Sequence, residues 1–299
     1  MTPPVRFLPA WTGTVARIIS LLMLTLALAA CSTIKIAYNH AATAAYWWLD
    51  GYVDFDQTQS QQLRADLARL QQWHRATELP RYIDLLQNVE QLTMADIGAE
   101  QVCAIAQEML GRLDTIAAQI EPATAALAMT LTPAQLQGLD RKYARTNARY
   151  RKEWLSRTPA EQLDKRYKQW LARIEMIYGR LDDAQKDSLR RQVALSSFDP
   201  RTSYEERLRR QHDALQTLQQ ITQTRVSEGD ARKLIHGYFE RTLGSPNPEY
   251  RAYQHTLLLE GCRTVALMHN TTTTAQRDIA AQRLLGYERD LTQLASQPQ

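Results

Sequence analysis

The sequence predicts an all-α protein, a compact bundle of about ten helices behind a cleaved leader. Three observations predict it. Glycine and proline are sparse, 11 of each in 299 residues, and no run of β-branched residues alternates with the period of two that a half-buried strand needs. Apolar residues recur at steps of three and four through 133–155 and 159–181, which lays them along one face of a helix. Two segments, Thr132-Pro133-Ala134-Gln135 and Thr158-Pro159-Ala160-Glu161, carry a capping hydroxyl, proline at the first helical position and Gln or Glu at the third. The hydroxyl accepts from the third residue's N–H while that residue's side chain reaches back, so both read as helix starts.

The elements follow in chain order. Arg6 and Arg17 precede the apolar run Ile18–Leu28, which ends in Ala29-Ala30-Cys31. A basic leader, a short apolar core and small residues before a cysteine read as a bacterial lipoprotein signal over residues 1–30, with Cys31 as the acylated first residue. The run holds about a dozen apolar residues where a spanning helix needs about 20. Two acyl chains anchor stably. Ser32, and not Asp, after the cysteine resembles the outer-membrane sorting signal of enterobacterial lipoproteins, which implies the periplasmic face of the outer membrane, with inner-membrane retention as the alternative.

Helical sequence resumes within a few residues of Cys31, without a tether. Tyr46, Trp47, Trp48 and Tyr52 are expected on the core face of the first helix, the alternative being an interfacial aromatic belt. Expected breaks near Gly51, Pro80, Gly98, Pro122, Arg157, Gly179, Pro200, Gly229 and Ser245-Pro246 divide the rest. Looser start signals stand at Asp56-Gln57-Thr58-Gln59, Asp182-Asp183-Ala184-Gln185, Thr273-Thr274-Ala275-Gln276, Asp199-Pro200 and Asn247-Pro248. One helical domain over 31–295 results, with 296–299 as a frayed tail.

Charge is unevenly distributed. Residues 31–130 carry 6 basic and 12 acidic side chains, and residues 141–210 carry 19 and 10. The expectation is that the two segments pair with each other. The alternative is an anionic envelope component or protein partner on a surface of Arg141, Lys142, Arg145, Arg149, Lys152, Lys165 and Lys168. In an exported protein this surface is not read as a nucleic-acid site.

Enzyme signatures are absent: no G-x-S-x-G, P-loop or G-x-G-x-x-G occurs, so neither catalysis, a cofactor nor a small-molecule substrate is expected. No H-x-x-x-H pair supports a metal site, and Asp50, Asp54 and Asp56 read as helix caps. His74 and Glu78, four apart, are expected to pair on one helix face. Asn147 interrupts an apolar stripe and is expected to be a satisfied core amide. Cys103 and Cys262 both lie in apolar rows; in the periplasm they form either a disulfide or two buried thiols.

Tyr38-Asn39, Trp48-Leu49-Asp50-Gly51-Tyr52, Trp73-His74-Arg75, Glu78-Leu79-Pro80, Phe198-Asp199-Pro200, His269-Asn270 and Tyr287-Glu288-Arg289-Asp290-Leu291, with the Cys31 signal, resemble a family of uncharacterised Gram-negative lipoproteins defined only as a domain of unknown function. The resemblance implies an exported lipoprotein and no activity. Leu131-Thr132-Pro133-Ala134-Gln135 is similar to the L-T-x-x-Q motif of Spy-like periplasmic chaperones, which implies a helical protein that binds unfolded clients on a concave face. Leu181-Asp182-Asp183-Ala184-Gln185 departs from that motif at the Thr, and no binding residue is carried over. The expected function is a non-enzymatic, lipid-anchored periplasmic module for binding or assembly, with a membrane-tethered chaperone as the alternative.

Overall fold

A computed structural model describes residues 34–297. The leader, Cys31 and the last two residues of the expected frayed tail lie outside the described residues. Those described are all-α: a helical segment at 34–39 leads into ten α-helices and one π-helical turn. The helices are α1 (Ala41–Val53), α2 (Gln57–Gln91), α3 (Ala99–Thr130), α4 (Pro133–Tyr150), α5 (Pro159–Tyr178), α6 (Asp183–Leu195), α7 (Pro200–Thr224), α8 (Glu228–Leu243), α9 (Pro248–Asn270) and α10 (Thr274–Ala295). The π-turn, Arg151–Leu155, continues α4. None of these helices is long and apolar enough to cross a membrane.

Two expected breaks are not breaks. Pro80 lies inside α2 and Pro122 inside α3. Each removes one backbone donor, but both prolines are exposed, so water can solvate the freed carbonyl on the outer face. The expected breaks near Gly51 and Gly229 are present, with the chain turning at Asp54 and Arg225, both in the left-handed region at φ 59° and 46°.

The helices form two groups. In one, α5, α6, α9 and α10 close around Tyr167, Ile174, Tyr178, Leu189, Val193 and Met268. In the other, α1 to α4 pack with α7 and α8, and Ala125, Ala128, Ile221, Ala231 and Ile235 form the core between α3, α7 and α8. The longest interface in the molecule, α2 against α10, joins the groups. Cys103 of α3 and Cys262 of α9 join them again, through a disulfide between Cα atoms 5.4 Å apart.

One device recurs in both groups. Asp56, Thr132, Asp182 and Thr273 each cap a helix in a reciprocal box with Gln59, Gln135, Gln185 and Gln276. The glutamines then meet in pairs. Gln135 Nε2 donates to Gln59 Oε1 at 2.6 Å, and Gln59 Nε2 returns the bond at 3.3 Å. Gln185 and Gln276 do the same at 2.8 and 3.0 Å. Each amide also donates to a carbonyl two residues before the partner helix's cap: Thr130 and Asp54 in one pair, Thr271 and Arg180 in the other. A capping residue thus satisfies two helix termini at once.

Other expectations are corrected. Tyr46 is buried, with its hydroxyl donating to Ser60 Oγ at 3.0 Å, but Trp47 and Trp48 are 60% and 63% exposed. The first helix packs mainly on α2 and α4, and among the described residues its neighbours leave the tryptophans in solvent. Among the described residues no ion pair joins the acidic first segment to the basic middle one. The first segment's Asp96 meets Arg277, and its Glu121 meets Arg232 and His236, because α3 packs against α8 and the loop before it meets α10. His74 bonds the Tyr38 hydroxyl at 3.0 Å rather than Glu78. Glu78 is buried and its field favours the imidazolium, but burial prevails and lowers the His74 pKa.

Candidate functional site

Small inward residues shape the site. Where α3 and α7 line a common space, the lining includes the alanines Ala123 and Ala128 on one side and Ala214 on the other. Alanine favours the helix but fills little space, and three such positions leave room that larger side chains would close. The result is a cavity of about 1080 Å³ between α1, α2, α3, α4, α7 and α8, with Tyr250 of α9 at its edge, just above the roughly 300–1,000 Å³ range of small-molecule sites.

Most of the wall is apolar. Leu63, Leu67 and Leu70 come from α2, Ile120 and Leu127 from α3, Leu139 from α4, and Leu218, Ile235 and Phe239 from α7 and α8. Burial pushes the Tyr143 phenol on this wall far above its ordinary range, aided by the nearby Tyr238 and Tyr52, so it stays neutral. The exposed lining residues are Trp48, Gln62, Arg69, Gln119, Pro122 and Ala126. They place the mouth between α1, α2 and α3, with Trp48 on its rim.

A single helix carries most of the polarity. The cavity-facing stripe of α7 runs Ser203, Glu206, Arg207, Arg210, Gln211, then Ala214, Thr217 and Leu218. At 1.5 Å per residue the stripe is about 22 Å long and changes from polar to apolar along its length. Buried Glu206 accepts from Arg210 Nε and Arg209 Nε at 2.9 Å and from Ser245 Oγ at 3.1 Å. Burial raises its pKa, but the hydrogen bonds from Arg209, Arg210 and Ser245 outweigh it, so the carboxyl lies below its ordinary range. Behind it, Arg241 Nη2 donates to Asp213 Oδ1 at 2.8 Å. Asp213 is held below its ordinary range in the same way, its burial offset by bonds from Arg241 and Arg209.

Asn147, read from the sequence as a satisfied core amide, stands behind this wall and bonds two of its residues. It is buried, accepts from Arg207 Nε at 2.8 Å and donates to Gln211 Oε1 at 2.6 Å. With the Tyr150 hydroxyl bonded to the Pro200 carbonyl, these contacts run α4 antiparallel to α7 and fix the Arg207 side chain at its Nε.

The surface expected from the sequence is divided. Lys165 pairs with Glu153 at 3.2 Å and Lys168 with Asp164 at 2.8 Å. Lys142 lies 5.1 Å from the Tyr52 ring. Arg141, Arg145, Arg149 and Lys152 remain as an exposed row on α4 and its π-turn, without an ion pair among the described residues. No group of three His, Cys, Asp or Glu among the described residues could hold a metal ion.

Sequence reasoning did not find the cavity or the arginines on α7. The alanines of α3 and the Ser203–Leu218 polarity gradient carried the signal, but neither becomes a wall until the two helices face each other. The model of a family of unknown function, DUF6279, matches residues 51–237, which include most of the cavity wall, and the chain belongs to that family. No curated protein and no solved structure matches it significantly.

Proposed function

We propose that this member of the DUF6279 family is a non-enzymatic binding module of the bacterial periplasm, held at the outer membrane through an acylated Cys31, which takes an apolar ligand into the cavity between α3 and α7. One observation carries the reading: the cavity of about 1080 Å³ with a wall of leucine, isoleucine and phenylalanine. Apolar surface left unfilled in water is costly at about 25 cal/mol per Å², and a ligand that covers it binds by that gain. The leader sequence supports the location, and the absence of a tether after Cys31 would keep the mouth close to the bilayer.

Native mass spectrometry of the full chain, released from detergent in the gas phase, tests the binding. The wild type should retain an extra non-detergent mass. Ala214→Phe, which puts a ring into the cavity where the apolar stripe of α7 begins, should lower its occupancy while keeping the helical circular dichroism. Wild-type protein that is always ligand-free, after mild extraction, overturns the reading. A tethered chaperone is the second reading, favoured by Met109, Leu110 and Leu113, which are 44–51% exposed on neighbouring turns of α3. It requires suppression of client aggregation at substoichiometric amounts that Ala214→Phe leaves intact.

A further inference from the structure

The cationic wall of the cavity is built rather than incidental. Arg207 and Arg210 stand three apart on α7, so both project from one face of the helix into the same space. Each is tied at Nε, Arg207 by the Asn147 carbonyl oxygen at 2.8 Å and Arg210 by Glu206 at 2.9 Å. The terminal nitrogens of both have no hydrogen-bond partner among the described residues. Glu206 does not neutralise the wall, because Arg209 and Arg210 already share it, and the net charge over Glu206, Arg207, Arg209 and Arg210 is positive. A guanidinium held at one edge presents its other N–H groups as a fork suited to a carboxylate or a phosphate.

The rest of the cavity asks for the opposite chemistry. From Ala214 toward Leu218, and along α3 and the Leu63, Leu67 and Leu70 positions of α2, the wall offers surface for an extended apolar body; the polar residues of α2 here, Gln62, Asp66 and Arg69, are bonded to one another. A charge facing an apolar cavity is costly unless paired. A ligand that joins one anion to a long apolar chain satisfies both ends.

We infer that the cavity takes a fatty-acyl amphiphile with a single anionic head group, the head on Arg207 and Arg210 and the chain against α2 and α3. This rests on the reading of the cavity as a ligand site and adds the class of ligand. Arg207 is the specificity-determining residue, because its charge faces the cavity without a carboxylate partner.

Photolabelling of the full chain in detergent tests it, with a diazirine derivative of palmitic acid and the matching derivative of hexadecanol. The acid should label peptides of α2, α3 and α7 about tenfold more than the alcohol. Unlabelled palmitate and hexadecyl phosphate should compete, and inorganic phosphate should not. Arg207→Gln keeps a polar group beside Asn147 and should bring acid labelling down to the level of the alcohol without changing alcohol labelling. Arg207→Lys should restore most of the preference. Equal labelling by acid and alcohol in the wild type, an acid preference that survives Arg207→Gln, or competition by inorganic phosphate overturns the head-group inference and leaves the cavity reading standing. If neither probe labels these helices, the cavity reading itself falls.

Discussion

The two helix groups use the same joint for different ends. In each, two capping glutamines clasp a pair of helix N-termini. Around the Gln185–Gln276 joint the inward positions are Tyr167, Ile174, Leu189 and Met268, which close into a core beside a small cavity of about 240 Å³. Around the Gln59–Gln135 joint they include Ala123, Ala128 and Ala214, and a cavity opens. The joint fixes where the helices begin, and the size of the side chains farther along decides whether the space between them becomes core or site. The packed group serves as a platform, clasped to the open one through α2 on α10 and through Cys103–Cys262.

If that division is right, the largest effect comes from uncoupling the groups. The disulfide closes a span of 159 residues, and loop-closure entropy for that length is about 4–5 kcal/mol at 25 °C. Urea unfolding under oxidising and reducing conditions should show the midpoint fall on reduction. Reduced protein should also unfold in two steps, with α1–α4, α7 and α8 melting first. A single transition at an unchanged midpoint would break the picture of two clasped units.

A paired truncation gives the next largest effect and sharpens the core-against-cavity contrast. Leu189 is completely buried in the filled group, so Leu189→Ala leaves a void and should cost about 3 kcal/mol. Leu67 faces a space that already exists, and Leu67→Ala should cost about 1 kcal/mol. The reverse substitutions should change sign. Ala280→Leu overpacks the filled core and should destabilise by about 1–3 kcal/mol, whereas Ala214→Leu extends into open volume and should leave the unfolding midpoint unchanged or raise it. Equal costs at Leu189 and Leu67 would mean that the cavity closes in solution.

Much of the fold was legible because its signals are local. Steps of three and four, capping residues and proline at the first helical position act within one or two turns, and they predicted the starts at Pro133 and Pro159. The misreadings share a different cause. Whether Pro80 ends a helix depends on which side of α2 meets water, and whether Trp48 is covered depends on how many neighbours α1 has. Neither is written in the adjacent residues. Of the candidate site only Asn147 was legible, as a polar residue in an apolar stripe. Its partners Arg207 and Gln211 stand 60 and 64 residues away, and alanines on α3 and α7 read as ordinary helix formers until packing opposes them.

The smallest effect isolates the joint from the cap. Glu161 completes the box at Thr158 through its carboxylate, which accepts the Thr158 N–H at 2.8 Å, and it clasps no second helix start. The four joint positions are Gln, and only an amide can both accept from its own cap and donate to a partner. Replacing Gln185 by Glu therefore keeps the cap and removes the donor, turning a carboxylate toward the Thr271 carbonyl and the Gln276 amide oxygen. Gln185→Glu should cost about 1–3 kcal/mol, the penalty for leaving buried polar groups unpaired. Gln135→Glu should cost less, because Gln135 is half-buried and water can replace the lost bond. Glu161→Gln should leave the midpoint where it is, since either side chain can accept from Thr158. Losses in the unfolding midpoint that rank in that order, Gln185 above Gln135 above Glu161, would tie the joint's strength to its burial. Equal losses at all three would reduce the glutamine pairs to ordinary capping boxes and leave the α2–α10 interface and the disulfide to set the arrangement of the two groups.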